Sequence, residues 1–263
     1  MQSTLLPLRL HGHLRQQGVA LFVVIVFVML SMLLALWASR TSLFNEMVVG
    51  NDADYQRAFE AAQALLQDAE LDIRGETPNG GACTGSSCRN SQANAYKIPL
   101  DPQEVTPLLA LLDKKTSKCF SGLCVKRAGR QDFWNTTAST SLSTDETTMD
   151  AMTTPASPGD LPPGARYGQY TGATVGDSTN PANPILADTS ARDRGGWYWI
   201  EILLYDESSK NSGLIVGGTT TDSLLRLNLK PSVAYRITAL AYGRKAGTMA
   251  VLQQTYVRQI RKD

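Results

Sequence analysis

Histidine is nearly missing from this 263-residue chain: there are two, His11 and His13, and both precede a long apolar run. Everything after that run lacks the imidazole that a Ser-His-Asp triad, a Cys-His pair or an HExxH zinc site requires. Phosphate-cradling glycine patterns are missing too. No GxxxxGK[ST] or GxGxxG occurs, and GRKAGT at 243–248 lacks the spacing and the strand-to-helix setting of a phosphate loop. Charge of one sign is also absent. The 25 Lys and Arg against 24 Asp and Glu leave a formal net charge of +1, without the basic footprint that nucleic acid demands. These absences exclude nucleic acid as a partner, argue against an enzyme, and imply no cofactor.

Two remaining routes to chemistry are weak. Asp188, Asp193, Glu201 and Asp206 lie close in sequence and offer carboxylates for a glycosidase pair, but closeness in sequence does not set their separation in space, and solvated surface acids are the expectation. The calcium-loop pattern DxDxDG does not occur, and NDADYQ at 51–56 falls within a helical pattern, so no metal site is predicted. The run Trp197, Tyr198, Trp199 suggests ligand stacking, yet aromatic residues favour strands, and alternation sends Trp197 and Trp199 to one face and Tyr198 to the other. Core filling is the expected role.

Charge is also missing from residues 19–39, and that absence is informative. As a helix the segment measures about 31 Å, the thickness of a bilayer's hydrocarbon core. A cleaved secretory signal would be shorter and would end in small residues; Trp37, Ala38, Ser39 and Arg40 do not supply such a site. Ahead of the span, Arg9, His11, His13 and Arg15 form an acid-free leader, whereas Glu46, Asp52 and Asp54 accompany Arg40 and Arg57 beyond it. The leader should stay in the cytoplasm and the body should lie outside.

Cysteine use agrees with an exported body. Cys83, Cys88, Cys119 and Cys124 form two C-x4-C pairs, CTGSSC and CFSGLC. Three connectivities are open, and the Gly- and Ser-containing local loops favour Cys83 with Cys88 and Cys119 with Cys124, each worth ~2 kcal/mol. A four-cysteine zinc site is the rival, disfavoured because structural zinc usually takes closer pairs.

No proline interrupts residues 19–77, and the helical pattern continues past the span. Leu43, Met47, Tyr55, Phe59, Ala62, Leu66, Ala69 and Ile73 recur mostly at three- and four-residue spacing, opposite Asp54, Arg57, Glu60, Gln63, Gln67 and Glu70. Gly50 is the weak point, and Gly75 with Pro78 marks the end near Arg74. The result is a helix of about 56 residues, on the order of 84 Å, apolar all round in its first half (19–39) and amphipathic in its second (40–74).

Residues 75–134 read as a cysteine-bearing loop region with a short helix from Pro102 to Lys115, its apolar side Leu108, Leu109, Leu111 and Leu112. Residues 135–194 turn to Thr, Ser, Pro, Gly and Ala and read as a long surface excursion. Residues 195–263 hold four β-rich runs, WYWIEILLY, SLLRLNLK, AYRITALAY and TMAVLQQTYVRQI, with GRKAG as a hairpin loop, so a small antiparallel sheet is predicted. The fold class is α+β. The sheet should cover the helix stripe containing Tyr55, Phe59 and Leu66.

The leader ending in Arg15-Gln16-Gln17-Gly18, the neutral segment opening Val19-Ala20-Leu21, the amphipathic helix and the later sheet together resemble a type IV prepilin. More narrowly, RQQGVALFVVIVFVML, ASRTSLFNEMVVGN and YQRAFEAAQALLQDAE, with AYRITALAYG and AVLQQTYVR near the end, resemble the PilX family of type IV pilus assembly proteins. The likeness covers 15–75 and 196–258.

That resemblance implies a pilin-like fold and removal of residues 1–18 as a leader by prepilin peptidase. The cut follows Gly18, Val19 becomes the methylated N-terminus, and the span is retained. It also implies a minor pilin of the bacterial inner membrane, with its C-terminal domain periplasmic, that primes filament assembly and then sits at the pilus tip. Its partners would be other minor pilins, the major pilin, the assembly platform and the lipid bilayer, with Leu43, Met47, Tyr55, Phe59 and Leu66 as helix-packing candidates. Most pilins carry a glutamate at the fifth mature position, where this chain has Val23. A subunit without that acid needs no neighbour's amine ahead of it, as expected of a tip member. Three alternatives remain: the K-type minor pseudopilin of type II secretion, a tip adhesin, or an uncleaved single-pass periplasmic protein. The first carries a large helical insert, for which the Ser/Thr/Pro-rich stretch is a poor match.

Overall fold

The computed structural model describes residues 17–89, 96–99, 102–127, 131–136, 146–177, 182–204 and 233–258. Arg9, His11, His13, Arg15, Asp206 and the run SLLRLNLK lie outside the described residues. Two units are distinguished, Met1–Gly50 and Asn51–Asp263.

Helix α1, Gln17–Arg74, contributes to both units and passes through Gly50 without a break. In the first unit its described side chains are exposed, Trp37 at 73%. The Thr41 hydroxyl donates to the Trp37 carbonyl at 3.0 Å, satisfying a polar group along an apolar helix. In the second unit α1 ends as predicted. Gly75 takes φ +68°, its N–H donates to the Asp72 carbonyl at 3.1 Å and the Glu76 N–H to the Leu71 carbonyl at 3.0 Å, a Schellman cap.

The remaining elements are α2 (Pro102–Asp113), β1 (Cys119–Phe120), β2 (Leu123–Val125), a 3-10 turn (Phe133–Asn135), α3 (Met149–Thr153), β3 (Gly196–Leu204), β4 (Val233–Tyr242) and β5 (Met249–Tyr256). The five strands form one sheet in the order β1-β2-β3-β4-β5. The expected antiparallel sheet needs correction: β2 runs parallel to β3, with Leu123 opposite Ile200 and Val125 opposite Ile202, and the other pairings are antiparallel. A parallel pair needs a long crossover, and residues 126–195 supply it. The sheet thus draws two strands from the cysteine-bearing region.

Strand alternation divides the sheet's residues between two cores. On one face Tyr198, Ile200, Ile202, Tyr235, Ile237, Ala239 and Ala241 pack with Ala58, Ala61, Ala62, Leu65, Ala69 and Ile73 of α1 and with Val105, Leu108 and Leu112 of α2. The alanines let helix and sheet approach closely. A Cβ on Gly196 would come within 2.4 Å of Leu65 Cδ1. On the other face Trp197, Trp199, Leu240, Cys119 and Cys124 pack with Phe133 and Met152. Phe133 meets Trp199 edge-to-face at 4.9 Å, and Trp199 Nε1 donates to the Met152 carbonyl at 3.2 Å. The aromatic run fills both cores, split as alternation requires.

The Ser/Thr/Pro-rich region is a surface excursion only in part: residues 155–161 are exposed, but others enter the cores. Ala165, Tyr170, Ile185 and Leu186 belong to the first core and Met152 to the second. The Pro162 and Pro163 carbonyls accept from Ser121 and Gly122 N–H at 3.0 and 2.8 Å, and Ala165 exchanges backbone hydrogen bonds with Tyr198. This segment continues the flank of β3 where β2 stops, so its backbone is satisfied without a long aliphatic run.

Candidate assembly surface and the carboxylates of the C-terminal unit

The first unit offers an uncharged helical surface. Val19, Phe22, Val23, Phe27, Val28, Met32 and Leu36 are all between 45% and 68% exposed. Among the described residues one helix is long and apolar enough to cross a membrane, and this is its apolar part. Val23, the fifth residue from Val19, carries no ionisable group. Gly18 lies inside α1, one residue past its start at Gln17.

The helix-packing candidates do not share one environment. Leu43 and Met47 of the first unit and Tyr55 of the second are exposed, at 57%, 53% and 46%. Phe59 and Leu66 are half-buried at the edge of the helix–sheet core. The face of α1 that the sheet covers keeps Ala62, Ala69 and Ile73 of the expected stripe but is centred on a neighbouring row of the helix. It runs through positions 54, 58, 61, 65, 68 and 72, a 4-3-4-3-4 spacing, and three of these are aspartates. Charge hid this stripe: an amphipathic reading sends aspartate outward, and here each is buried because its acceptors are used.

Asp54, 3% exposed, caps the β4–β5 connection. Its Oδ1 accepts from Arg244 N–H and its Oδ2 from Lys245 N–H, both at 3.0 Å, while Lys245 Nζ reaches Asn51 Oδ1 at 2.9 Å. The hairpin loop GRKAG, with Gly247 at φ +83°, is thus tied to the helix. Asp54 had been expected on the solvent side.

Asp68, 1% exposed, holds a glycine-rich loop. Its Oδ2 accepts from Gly168 N–H at 2.8 Å and its Oδ1 from the Thr171 hydroxyl. Gly168 is obligatory here: its φ is +71°, and a Cβ would collide with the Ala173 carbonyl oxygen. Burial pushes the Asp68 carboxyl up to about 6 against those two hydrogen bonds, and the Asp72 charge adds to the rise.

Asp72, one helical turn on, is ion-paired inside the core. Arg89 Nε lies 2.8 Å from Oδ1 and 3.0 Å from Oδ2, its Nη2 lies 2.6 Å from Oδ2, and the Tyr198 hydroxyl donates to Oδ2 at 3.1 Å. Burial opposes the Arg89 charge, but Asp72 outweighs it and the guanidinium stays protonated. Burial, then the charges of Asp72 and Asp68, push the Tyr198 phenol well above its ordinary value, so it remains a donor.

Glu201, grouped in sequence with surface acids, is fully buried on the other sheet face. Its Oε1 accepts from Arg127 N–H at 3.0 Å and Nε at 2.8 Å, and its Oε2 from Arg236 Nε at 2.5 Å. Asp188 instead caps an exposed turn through Ser190. The two carboxylates serve separate structures, so no glycosidase pair is assembled from them.

The structure bonds Cys83 to Cys88 and Cys119 to Cys124. Cys119 and Cys124 face each other across β1 and β2, and Cys88 bridges to Thr171. Among the described residues no group of three or more His, Cys, Asp or Glu side chains is placed to hold a metal ion.

The described residues therefore comprise an exposed helix that is uncharged from 19 to 39 and a mixed-sheet unit organised by buried acids, without an assembled catalytic group among them. Neither the curated proteins nor the solved structures provide a match to it. The family described as type IV pilus assembly protein PilX C-term matches residues 120–258, more than half of the chain, and the PilX N-terminal family matches residues 17–67. The chain belongs to the PilX family of type IV pilus assembly proteins, structural components of the pilus assembly machinery.

Proposed function

We propose that this chain is a minor pilin that joins other minor pilins in the bacterial inner membrane, primes assembly of the type IV pilus and remains at the filament tip. The observation that carries this reading is Val23. A carboxylate in hydrocarbon costs up to about 2.5–3.5 kcal/mol at the helix centre and less toward the membrane surface, and an interior subunit offsets the cost of its fifth-position acid with the amine of a neighbour ahead. A chain with valine there is free to stand first. It is not an enzyme; its work is assembly.

By resemblance, prepilin peptidase cuts after Gly18 on the cytoplasmic side and leaves Val19 as a methylated N-terminus, while the C-terminal unit lies in the periplasm. The exposed Leu43, Met47 and Tyr55 are then contacts for neighbouring helices, including the major pilin. Phe59 and Leu66 are shared with the protein's own core. The bilayer holds residues 19–39 until the assembly platform extracts them.

Intact-mass and N-terminal peptide analysis, with and without active prepilin peptidase, tests the processing. A peptidase-dependent N-methylated Val19 is expected; an intact Met1 in both samples would overturn the filament reading. Secretion lost with pili intact would instead favour the pseudopilin alternative.

A second expectation concerns the span. Val28→Asp or Met32→Asp places an unpaired acid in hydrocarbon at about 2.5–3.5 kcal/mol on insertion scales, so membrane retention and piliation should both fall. Normal piliation in either variant would count against the model.

A further inference from the structure

We infer that the two C-x4-C disulfides have different tasks: Cys83–Cys88 seats Arg89 in the core as the counterion of Asp72, whereas Cys119–Cys124 closes a hairpin that its backbone already holds. The first bond thereby controls whether a buried carboxylate on α1 is paired.

Arg89 follows Cys88 directly, and its side chain is 2% exposed. It is packed from three sides: Asp72 of α1 takes its Nε and Nη2, Tyr198 of β3 shares the same carboxylate, and the Tyr170 ring lies 3.7 Å below its Cζ. Asp68 is the remaining ionisable group facing this cluster, and it is occupied by Gly168 and Thr171. A guanidinium leaves water for such a place only when its geometry is well fixed. The fixing comes from the Cys88 backbone, which turns back to the Gly85 carbonyl at 2.9 Å and bridges to Thr171, together with the disulfide that ties it to Cys83. Cys83 N–H donates to the Gly75 carbonyl at 2.8 Å, just beyond the α1 cap, and the disulfide holds the Cys88 Cα 5.5 Å from that anchored point. The closed loop has a sequence separation of 5, the same as that of Cys119–Cys124, so the chain entropy removed, about 2 kcal/mol, does not distinguish the two bonds. The difference lies in what each positions.

Cys119–Cys124 closes a loop of the same length in different surroundings. It packs with Phe133 and Trp199, and Cys124 lies opposite Glu201 in the β2–β3 register. The hairpin is fastened independently, by Val125 N–H to the Lys118 carbonyl at 3.0 Å and by Ile200 N–H to the Gly122 carbonyl at 2.6 Å. The buried ion pair on its sheet face, Arg127 with Glu201, follows from the β2–β3 ladder from Leu123 to Val125.

A sign reversal tests the assignment. In the full-length protein in detergent micelles, Asp72→Asn should lower the folding equilibrium constant by at least about 100-fold in urea unfolding, because it strands a buried guanidinium. In a Cys83→Ser/Cys88→Ser background the same substitution should raise that constant, since the carboxylate there has lost its seated counterion. In a Cys119→Ser/Cys124→Ser background it should again lower it about 100-fold. A cost of equal size in all three backgrounds overturns the inference. If Cys83→Ser/Cys88→Ser does not fold alone, recovery of the folded protein by adding Asp72→Asn supports the assignment, and absence of recovery refutes it.

Discussion

Replacing Glu201 with leucine is expected to destabilise the C-terminal unit by about 3–5 kcal/mol, because it leaves buried cations without their anion. The Glu201 side chain is fully buried, the Arg127 side chain is 5% exposed and that of Arg236 24%. Arg127 has little else to fall back on. Its Cζ lies 4.3 Å over the Phe133 ring, and the Nη atoms have no hydrogen-bond partner. Burial alone would raise the Glu201 carboxyl, but hydrogen bonds from Arg236 and Arg127 and the Arg127 charge outweigh it and hold the group below its ordinary value. A depressed acid stabilises the fold above its unfolded pKa, and this contribution is lost as pH falls below the ordinary glutamate range of about 4.5. Urea unfolding of Glu201→Leu at neutral pH should therefore show the full loss, shrinking in strong acid. A loss below 1 kcal/mol at neutral pH would mean that the pair contributes little.

Asp68→Asn should have the opposite character and remove a pH dependence instead of a fixed amount of stability. The Asp68 carboxyl stands at about 6 in the folded protein against 3.8 when free, so the folded state binds the proton more tightly. Between pH 4 and 6 the native protein holds more protons than the unfolded chain, and its stability falls as pH rises through that window. At about 1.4 kcal/mol per pH unit the whole difference amounts to about 3 kcal/mol. Asparagine keeps an acceptor for Gly168 N–H and turns an amide toward the Thr171 hydroxyl, which can accept it. The variant should thus match wild type near pH 4 and exceed it near pH 7. Melting curves recorded across that range check this; parallel curves for the two proteins would refute it.

The two carboxylates show where sequence reasoning stopped. Glu201 sits in a strand between Trp199 and Leu203, on a face that alternation makes apolar, and this was a usable hint that it is buried. Its partners Arg127 and Arg236 are 74 and 35 residues away, and nothing local announces them. Asp54, Asp68 and Asp72 were harder. They fall on a regular 4-3-4-3-4 stripe with Ala58, Ala61 and Leu65, but alanine weakens the apolar signal and aspartate reverses it. The heavier residues Tyr55, Phe59 and Leu66 drew the stripe to a neighbouring face. The Thr/Ser/Pro-rich region misled for a related reason: its core contribution comes from single large residues, Met152, Tyr170 and Ile185, and from backbone pairing that composition does not register.

By itself the sequence determined the apolar helical segment, the cap at Gly75, the strands β3, β4 and β5 with their hairpin, and the family, because each is written in contiguous residues: absence of charge, a single glycine, period-2 alternation, an N-terminal motif. Only the tertiary structure decided which face of α1 the sheet covers, that β1 and β2 join the sheet through a parallel pairing, and that four acids lie in the interior. Those outcomes depend on partners 17 to 191 residues distant, from Asp72 with Arg89 to Asp54 with Lys245. A buried carboxylate is stable only when such partners converge on it, and convergence is a property of the folded chain.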